Sequence, residues 1–366
     1  MSETVLKKEE RVAVALRSLY KKYGYTPYKM SKFEAYDLYA KNKDFLVGEG
    51  IITFTDTDGK LLALKPDVTL SIIKNAGGEN EKQKVYYNEN VYRISGETKQ
   101  FKELMQVGLE CIGALGVYDI YETLTLACAS LAEISKDFVL DISHLGILAG
   151  VFDEIGAGDA FNQKAQRLLA EKNLHELKTL CAEFGVEEVK AKKLFTLVSA
   201  YGDMDKVLSV LKPLCTAQKS AEAYAELVMI CTLLKSSAYA DKIRLDFSVV
   251  NDMKYYNGIV FKGFIDGLYK SVLSGGRYDR LMARMHKSTG AIGFAVYLDL
   301  LEGFQETRSA YDVDTLVLYD DTTKIESLVQ TVENASSKGE IVRAEQSIGK
   351  LRYKNVVDLR LGGGKC

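Results

Sequence analysis

The spacing of apolar and polar residues changes character along the chain, and its clearest stretch runs from Val85 to Gly113. There the period is two: Tyr86, Asn88, Asn90 and Tyr92 alternate with Val85, Tyr87 and Val91. After a turn at Gly96, a second run carries Leu104, Gln106, Gly108 and Glu110 on one side. This is the signature of two strands joined by a polar loop. Paired in register, they would aim Arg93, Gln106 and Glu110 into one pocket. An arginine beside a glutamine and a carboxylate suits a zwitterionic ligand, because the guanidinium grips an anion while the carboxylate takes an ammonium or imidazolium. A half-solvated sheet whose polar side chains merely face water accounts for the same alternation.

On the N-terminal side, Thr4 is placed to cap a helix through about Tyr23, with Val5, Val12, Ala15, Leu16 and Leu19 at helical spacing and Gly24 as its stop. Residues Ile51 to Leu64 read as a hairpin around Asp58-Gly59, a type I′ signal. It leads into Lys65-Pro66-Asp67-Val68-Thr69 and a short helix over Leu70 to Asn75, where Asp67 and Thr69 can cap backbone amides. Beyond the central hairpin, Ile120 to Ile134 is an amphipathic helix, and Phe138 to Ile142 a strand ending near His144 at a strand-to-helix corner. From about Leu145 to Ala240 the period is helical, with room for five or six helices and no evident chemistry. Strands return at Ile243 to Val249, Tyr255 to Phe264 and Ser271 to Leu273. Gly275-Gly276 serve either a tight turn or the close approach of a ligand to the backbone, and Arg277, Tyr278 and Asp279 follow at a helix start. Residues Ala291 to Leu301 run from strand into helix, and from Tyr311 onward a short βαββ pattern ends in LGGGKC.

Composition narrows the classes. A chain of 366 residues, 47% apolar, buries a large core and divides into two or more domains. Forty-eight Lys and Arg against 50 Asp and Glu leave a formal charge of −2, without the basic field of a nucleic-acid binder. The six cysteines and three histidines show no CxxC pair and no metal-ligand spacing, so no metal or cofactor is implied, and the cysteines read as buried thiols of a reducing, cytoplasmic compartment. The charged N-terminus has no signal-peptide core, and no apolar run is long enough to span a bilayer.

The hairpin, read as YR…KEL-x-Q-x-G-x-E-x-I-G, resembles the second signature motif of class II aminoacyl-tRNA synthetases in its histidyl branch. Four further segments agree in order: a helix followed by GYTPYKMSKFE to Glu34, LKPDVT at Leu64 to Thr69, MKYYNGIVF at Met253 to Phe261, and GGRYDRL with AIGFAVYLDLL from Gly275 to Leu301. The resemblance implies an α+β fold, with a class II synthetase-like antiparallel sheet flanked by helices. It divides the chain into a first core part (1–144), a helical insertion (145–240), a second core part (241–310) and a short C-terminal α/β segment (311–366). It also implies that Asp67 and Thr69 hold the substrate's amino group, and that the first helix lies in a homodimer interface, although Ser31 stands where the first motif has its proline.

The same resemblance exposes losses. Class II enzymes neutralise the α-phosphate of ATP largely with arginines, and only Arg93 is kept. Leu300 stands where the last motif, GFAxGxERL, has its arginine; Asn251 replaces a further arginine of the histidyl branch; and Lys254 replaces the acidic residue beside the paired tyrosines. The recognition half persists in Asp67, Thr69, Arg93, Gln106, Glu110, Tyr255, Tyr256, Arg277 and Tyr278. Pro-Asp-x-Thr in place of Pro-Glu-Gly-Thr, with the short C-terminus, is similar to the family of ATP phosphoribosyltransferase regulatory subunits. That resemblance implies a non-catalytic subunit of a hetero-oligomer, itself a homodimer. Its partner is a short-form catalytic chain and its effector is histidine, with neither tRNA nor membrane involved. A divergent synthetase paralogue acting as an aminoacyl ligase, or a structural dimer module with a dead pocket, are the competing expectations.

Overall fold

The computed structural model describes residues 6–42, 50–77, 82–94, 98–250, 253, 255–302, 304 and 310–360. The expected helix cap at Thr4, Val5 of its apolar stripe, the Gly96 turn, Asn251, Lys254 and the LGGGKC terminus lie outside the described residues. The chain forms two compact units, Met1–Phe304 and Gln305–Cys366.

Helix α1 (Lys8–Lys22) buries Val12, Ala13, Leu16 and Tyr20 along one stripe, the Glu10 carboxylate accepts from the Lys7 amide, and Gly24 at φ +80° ends it. Strands β1 (Thr26–Pro27) and β2 (Phe33–Ala35) and helix α2 (Tyr36–Lys41) follow. Then β3 (Thr53–Thr55) and β4 (Leu61–Leu64) complete a small sheet of order β2-β4-β3. The type I′ expectation for Asp58-Gly59 fails. Only Gly59 has a positive φ, whereas that turn needs two successive ones, and the Asp56 carboxylate instead shapes the loop by accepting from the amides of Asp58 and Lys60.

Helix α3 (Thr69–Asn75) precedes the long hairpin β5 (Gln83–Ile94) and β6 (Phe101–Gly113), and helix α4 (Val117–Ala132) leads to β7 (Phe138–His144). The helical stretch then comprises α5 (Leu145–Ile155), α6 (Asp159–Ala170), α7 (Leu174–Glu183), α8 (Glu188–Val198), the short strand β8 (Tyr201–Gly202), α9 (Met204–Leu211) and α10 (Gln218–Leu234). Strands β9 (Ile243–Asp246), β10 (Ile259–Ile265) and β11 (Leu273–Arg277), helix α11 (Asp279–Arg284) and strand β12 (Gly290–Tyr297) complete a nine-stranded, mostly antiparallel sheet of order β1-β5-β6-β12-β11-β10-β7-β9-β8. The helical stretch shares its apolar core with this sheet, since Leu177, Leu197, Leu211 and Leu227 belong to the same buried cluster as Val107 and Phe294.

Register assigns the sheet two faces of opposite chemistry. Leu109 opposes Tyr86 and Phe294, and with Val107, Cys111 and Val296 they pack against Leu16 and Tyr20 of α1 and Leu124 of α4. Residues one position away point to the other side. There Arg93, Glu89, Tyr87 and Val85 oppose Lys102, Gln106, Gly108 and Glu110, and Glu110 in turn opposes Gly293. Gly275 and Gly276 form no turn; they are interior residues of β11, paired with Phe294 and Gly293. A Cβ at Gly275 would lie 2.4 Å from the Gly293 carbonyl oxygen, and one at Gly276 2.8 Å from that of Ile259, so neighbouring backbone dictates glycine here.

In the second unit, β13 (Val313–Leu318) lies between β14 (Val342–Glu345) and β15 (Tyr353–Asp358), parallel to both, with α12 (Ile325–Ser337) as the crossover helix. Val313, Leu316, Leu318 and Tyr353 make its small core.

Candidate functional site

The site is built on the polar face of β5, β6 and β12, and Glu110 is its centre. Only 2% of this glutamate is exposed. Thr69, the first residue of α3, donates its hydroxyl to Glu110 Oε1 at 2.8 Å, and the Tyr278 hydroxyl, just beyond β11, donates to Oε2 at 2.5 Å. Gly293 makes the space, because a Cβ there would fall 1.8 Å from Glu110 Oε2. Burial pushes the carboxyl up to about 8 against the two hydroxyl donors, which favour its ionised form, while nearby Asp67 pushes the same way as burial. Among the described residues the donors to this buried carboxyl are two neutral hydroxyls and no cation pairs with it, an arrangement chemically suited to a cationic ligand group.

Asp67 carries out the capping expected of it, with its Oδ1 accepting from the Leu70 amide at 3.0 Å. It is also buried, and its pKa is raised by desolvation, against the Leu70 amide and the nearby Arg93 charge. Thr69 spends its hydroxyl on Glu110 rather than on a cap. Arg93 donates its Nε to the Pro66 carbonyl at 2.8 Å, which ties the end of β5 to the turn that carries Asp67. Gln106 is 3% exposed, and its Nε2 has no hydrogen-bond partner among the described residues. A buried amide left unpaired costs roughly 1–3 kcal/mol, which a ligand oxygen accepted at this position would offset.

Aromatic rings form the wall. Tyr255 lies 4.5 Å from Tyr256 and 5.7 Å from Tyr278 between centroids. Burial raises all three phenols well above their ordinary range, so they act as neutral donors. Two more tyrosines, not anticipated from sequence, join them. Tyr87 stands over Gly108, where a Cβ would meet its hydroxyl at 2.4 Å, and Tyr297 opposes Gln106 across the β12–β6 pair. The signal for Tyr87 was its place in the alternate set with Val85 and Val91, opposite a glycine. The fully buried Lys65, paired with Glu89, was also unanticipated, and a single lysine before Pro66 carries no pattern that announces its burial.

Arg277 is the predicted residue that does not join this group. It pairs with Ile292, whose side chain lies in the core on the opposite face, and its guanidinium meets Glu226 of α10 at 3.2 Å and Asp279 at 2.7 Å. Strand alternation explains this, because Tyr278 faces the pocket and its predecessor cannot. His144 occupies the predicted corner. It caps α5 by accepting from the Gly146 amide at 3.1 Å and meets Glu226 at 2.9 Å. Leu300 is half-buried and packed against the core.

Residues 1–301 match the family model described as histidyl-tRNA synthetase. The ATP phosphoribosyltransferase regulatory subunit of Oceanobacillus iheyensis is 24% identical over 360 residues, covering 96% of this chain and 88% of that protein. Among solved structures, an ATP phosphoribosyltransferase regulatory subunit/histidyl-tRNA synthetase from Bacillus halodurans superposes with a TM-score of 0.76 at 22% identity, covering 96% and 94% of the two chains. A chain of the ATP phosphoribosyl transferase (HisG:HisZ) complex from Thermotoga maritima superposes with a TM-score of 0.62 at 19% identity, covering 78% and 96%. The chain belongs to the histidyl-tRNA synthetase family, and its fold is that of the class II synthetases.

Proposed function

We propose that this member of the family is a non-catalytic regulatory subunit of ATP phosphoribosyltransferase that reads free histidine in the Glu110 pocket and acts on a separate short catalytic chain. One contrast carries the reading. The recognition set around Glu110 is closed and buried beside a Gln106 amide nitrogen unpaired among the described residues, while Leu300 is packed against apolar neighbours at the position where an adenylating enzyme of this family would present a cation. Losing one preorganised donor of that kind costs on the order of 10²–10³ in rate, and the replacement at Asn251 removes a second cation. The relatives that carry the name of regulatory subunit support the assignment.

In this reading histidine lies with its amino group toward Asp67, Thr69 and Glu110, its carboxylate toward Gln106 and Arg93, and Tyr255 and Tyr256 over it. The chain works as a homodimer within a hetero-oligomer and needs no tRNA, consistent with its formal charge of −2. For histidine to inhibit, it must bind one state of the complex more tightly than another, and a coupling of roughly 1–3 kcal/mol suffices.

The test mixes the purified chain with a short catalytic chain and follows phosphoribosyl-ATP formation with and without histidine. The expected result is no turnover by this chain alone, activation of the catalytic chain, and inhibition by histidine only when both are present. Amino-acid-dependent exchange of pyrophosphate into ATP by this chain alone would restore the synthetase reading. A catalytic chain equally active and equally indifferent to histidine in either condition would leave only a structural module.

A further inference from the structure

The polar cluster on the far side of the sheet from Glu110 is not used by the pocket, yet it touches the pocket's support. Glu226, on α10 of the helical stretch, spends one oxygen on each of two elements: Oε2 meets His144 Nε2 at 2.9 Å and Oε1 meets the Arg277 guanidinium at 3.2 Å. His144 Nδ1 accepts from the Gly146 amide, so the neutral ring carries its proton on Nε2 and donates it to Glu226. Arg277 is held from its other side by Asp279, which also accepts from the side-chain amide of Asn257 and from the Ala291 amide of β12. Position 277 is fixed by charge on the back of the sheet, and position 278, the next residue, donates to Glu110 on the front.

Helix α10 is well placed to transmit a displacement. It is seated tightly on α5, since a Cβ at Gly146 would lie 2.9 Å from that of Ala223, and one at Gly150 2.7 Å from that of Ser220. The two helices therefore move as one piece. Their polar attachment to the end of β11 runs through the single carboxylate of Glu226 among the described residues. A shift of α5 and α10 would drag Arg277, and with it the Tyr278 hydroxyl that orients Glu110.

We infer that Glu226 is a positioning residue for histidine recognition, through which the helical stretch sets the affinity of the pocket by way of Arg277 and Tyr278. The inference rests on the Glu110 pocket being the histidine site. It assigns to the six-helix stretch a role in regulation that its sequence did not announce. By linkage the path is reciprocal, so histidine bound at Glu110 must alter α10 as much as α10 alters histidine binding.

The experiment uses the full chain and two variants, Glu226→Ala and Glu226→Gln, with histidine itself as the probe. Calorimetry is expected to give about tenfold weaker binding for Glu226→Ala, within the usual span for one coupled contact. The near-isosteric Glu226→Gln, which keeps the His144 contact but not the charge on Arg277, should fall between that variant and the unmodified protein. Should the alanine variant fail to fold, the glutamine variant decides alone. Hydrogen exchange supplies the readout that a merely structural role would not move. Histidine should slow exchange across Gln218–Leu234 in the unmodified chain, and the effect should shrink in both variants. Unchanged affinity in the variants, or an α10 indifferent to histidine in a chain that binds it, overturns the inference while sparing the pocket. No histidine binding by the unmodified chain overturns the pocket assignment and the inference with it.

Discussion

The two faces of the central sheet differ by one residue of register and by almost everything else. On one side Val107, Leu109, Cys111 and Phe294 interlock with α1 and α4. On the other, Gln106, Gly108, Glu110 and Gly293 leave a polar surface whose side chains are as deeply buried as the core. The first face is closed by packing; the second is closed by hydrogen bonds from Thr69 and Tyr278 to a carboxyl that no cation holds among the described residues. The difference shows how one strand can present two chemistries: odd positions of β6 carry the packed core, which leaves Gln106, Gly108 and Glu110 at even positions free for the recognition proposed above. The same alternation sends Arg277 and Tyr278 in opposite directions.

The comparison can be tested most severely from the apolar side. Phe294 is 2% exposed and touches Tyr20 edge-on at 6.0 Å between centroids. Phe294→Ala should lower stability by about 3–5 kcal/mol through lost burial and the cavity left behind, seen as an earlier midpoint in denaturant. Histidine affinity, measured where the variant remains folded, should change far less. A loss of affinity as large as the loss of stability would mean that the two faces are not separable.

The reciprocal change is Glu110→Ala. Removing a buried carboxyl that pairs with no cation among the described residues relieves its desolvation but strands the Thr69 and Tyr278 hydroxyls, so the denaturation midpoint should move far less than in Phe294→Ala. Histidine binding, in contrast, should weaken by two or more orders of magnitude, because a buried ammonium left without its carboxylate costs about 3–5 kcal/mol. Asp67→Ala should weaken binding similarly. It should also cost about 1 kcal/mol of stability, since its Oδ1 caps the Leu70 amide. Calorimetry with denaturation curves on the same samples checks both, and unaltered affinity in both variants would move the histidine site elsewhere.

Much of this contrast is legible in the chain itself. The period-two run from Val85 to Glu110 announces a hairpin, and its faces follow from which positions are apolar, so the sequence alone places Gln106 and Glu110 on one face. Three features are not legible, each for a physical reason. The loop at Asp58-Gly59 has a dipeptide compatible with two turns, and the choice was made by the Asp56 side chain two positions earlier. Gly275-Gly276 looks like punctuation, whereas their role is to admit neighbouring backbone from β12 and β10, contacts made by strands distant in sequence. Arg277 was grouped with Tyr278 by adjacency in the motif, yet adjacency along a strand guarantees opposite faces; the partner that decides its place, Glu226, lies 51 residues away in a helical stretch without a motif.

The smallest expected effect concerns protons, and it probes how Glu110 does its work. Burial lifts this carboxyl to about 8, against an ordinary value of 4.5. The sign follows directly. A carboxyl raised in the folded state stabilises the fold fully below the ordinary value and loses that contribution as pH rises through about 8, so the empty protein should weaken from acid toward mild alkali. If Glu110 holds the cation of histidine as a carboxylate, binding must expel the proton it carries at neutral pH. Affinity should then rise with pH, by at most about tenfold per unit for one proton, and level off above about 8. Calorimetry between pH 6 and 8.5 in buffers of different ionisation enthalpy measures both the slope and the protons released, and Glu110→Gln is the control that should flatten the profile. A steep profile in the unmodified chain that persists in Glu110→Gln would assign the proton to another group. A flat one in both would mean that Glu110 stays protonated and serves histidine as a hydrogen-bond donor, so that the polar face recognises shape and dipole rather than charge.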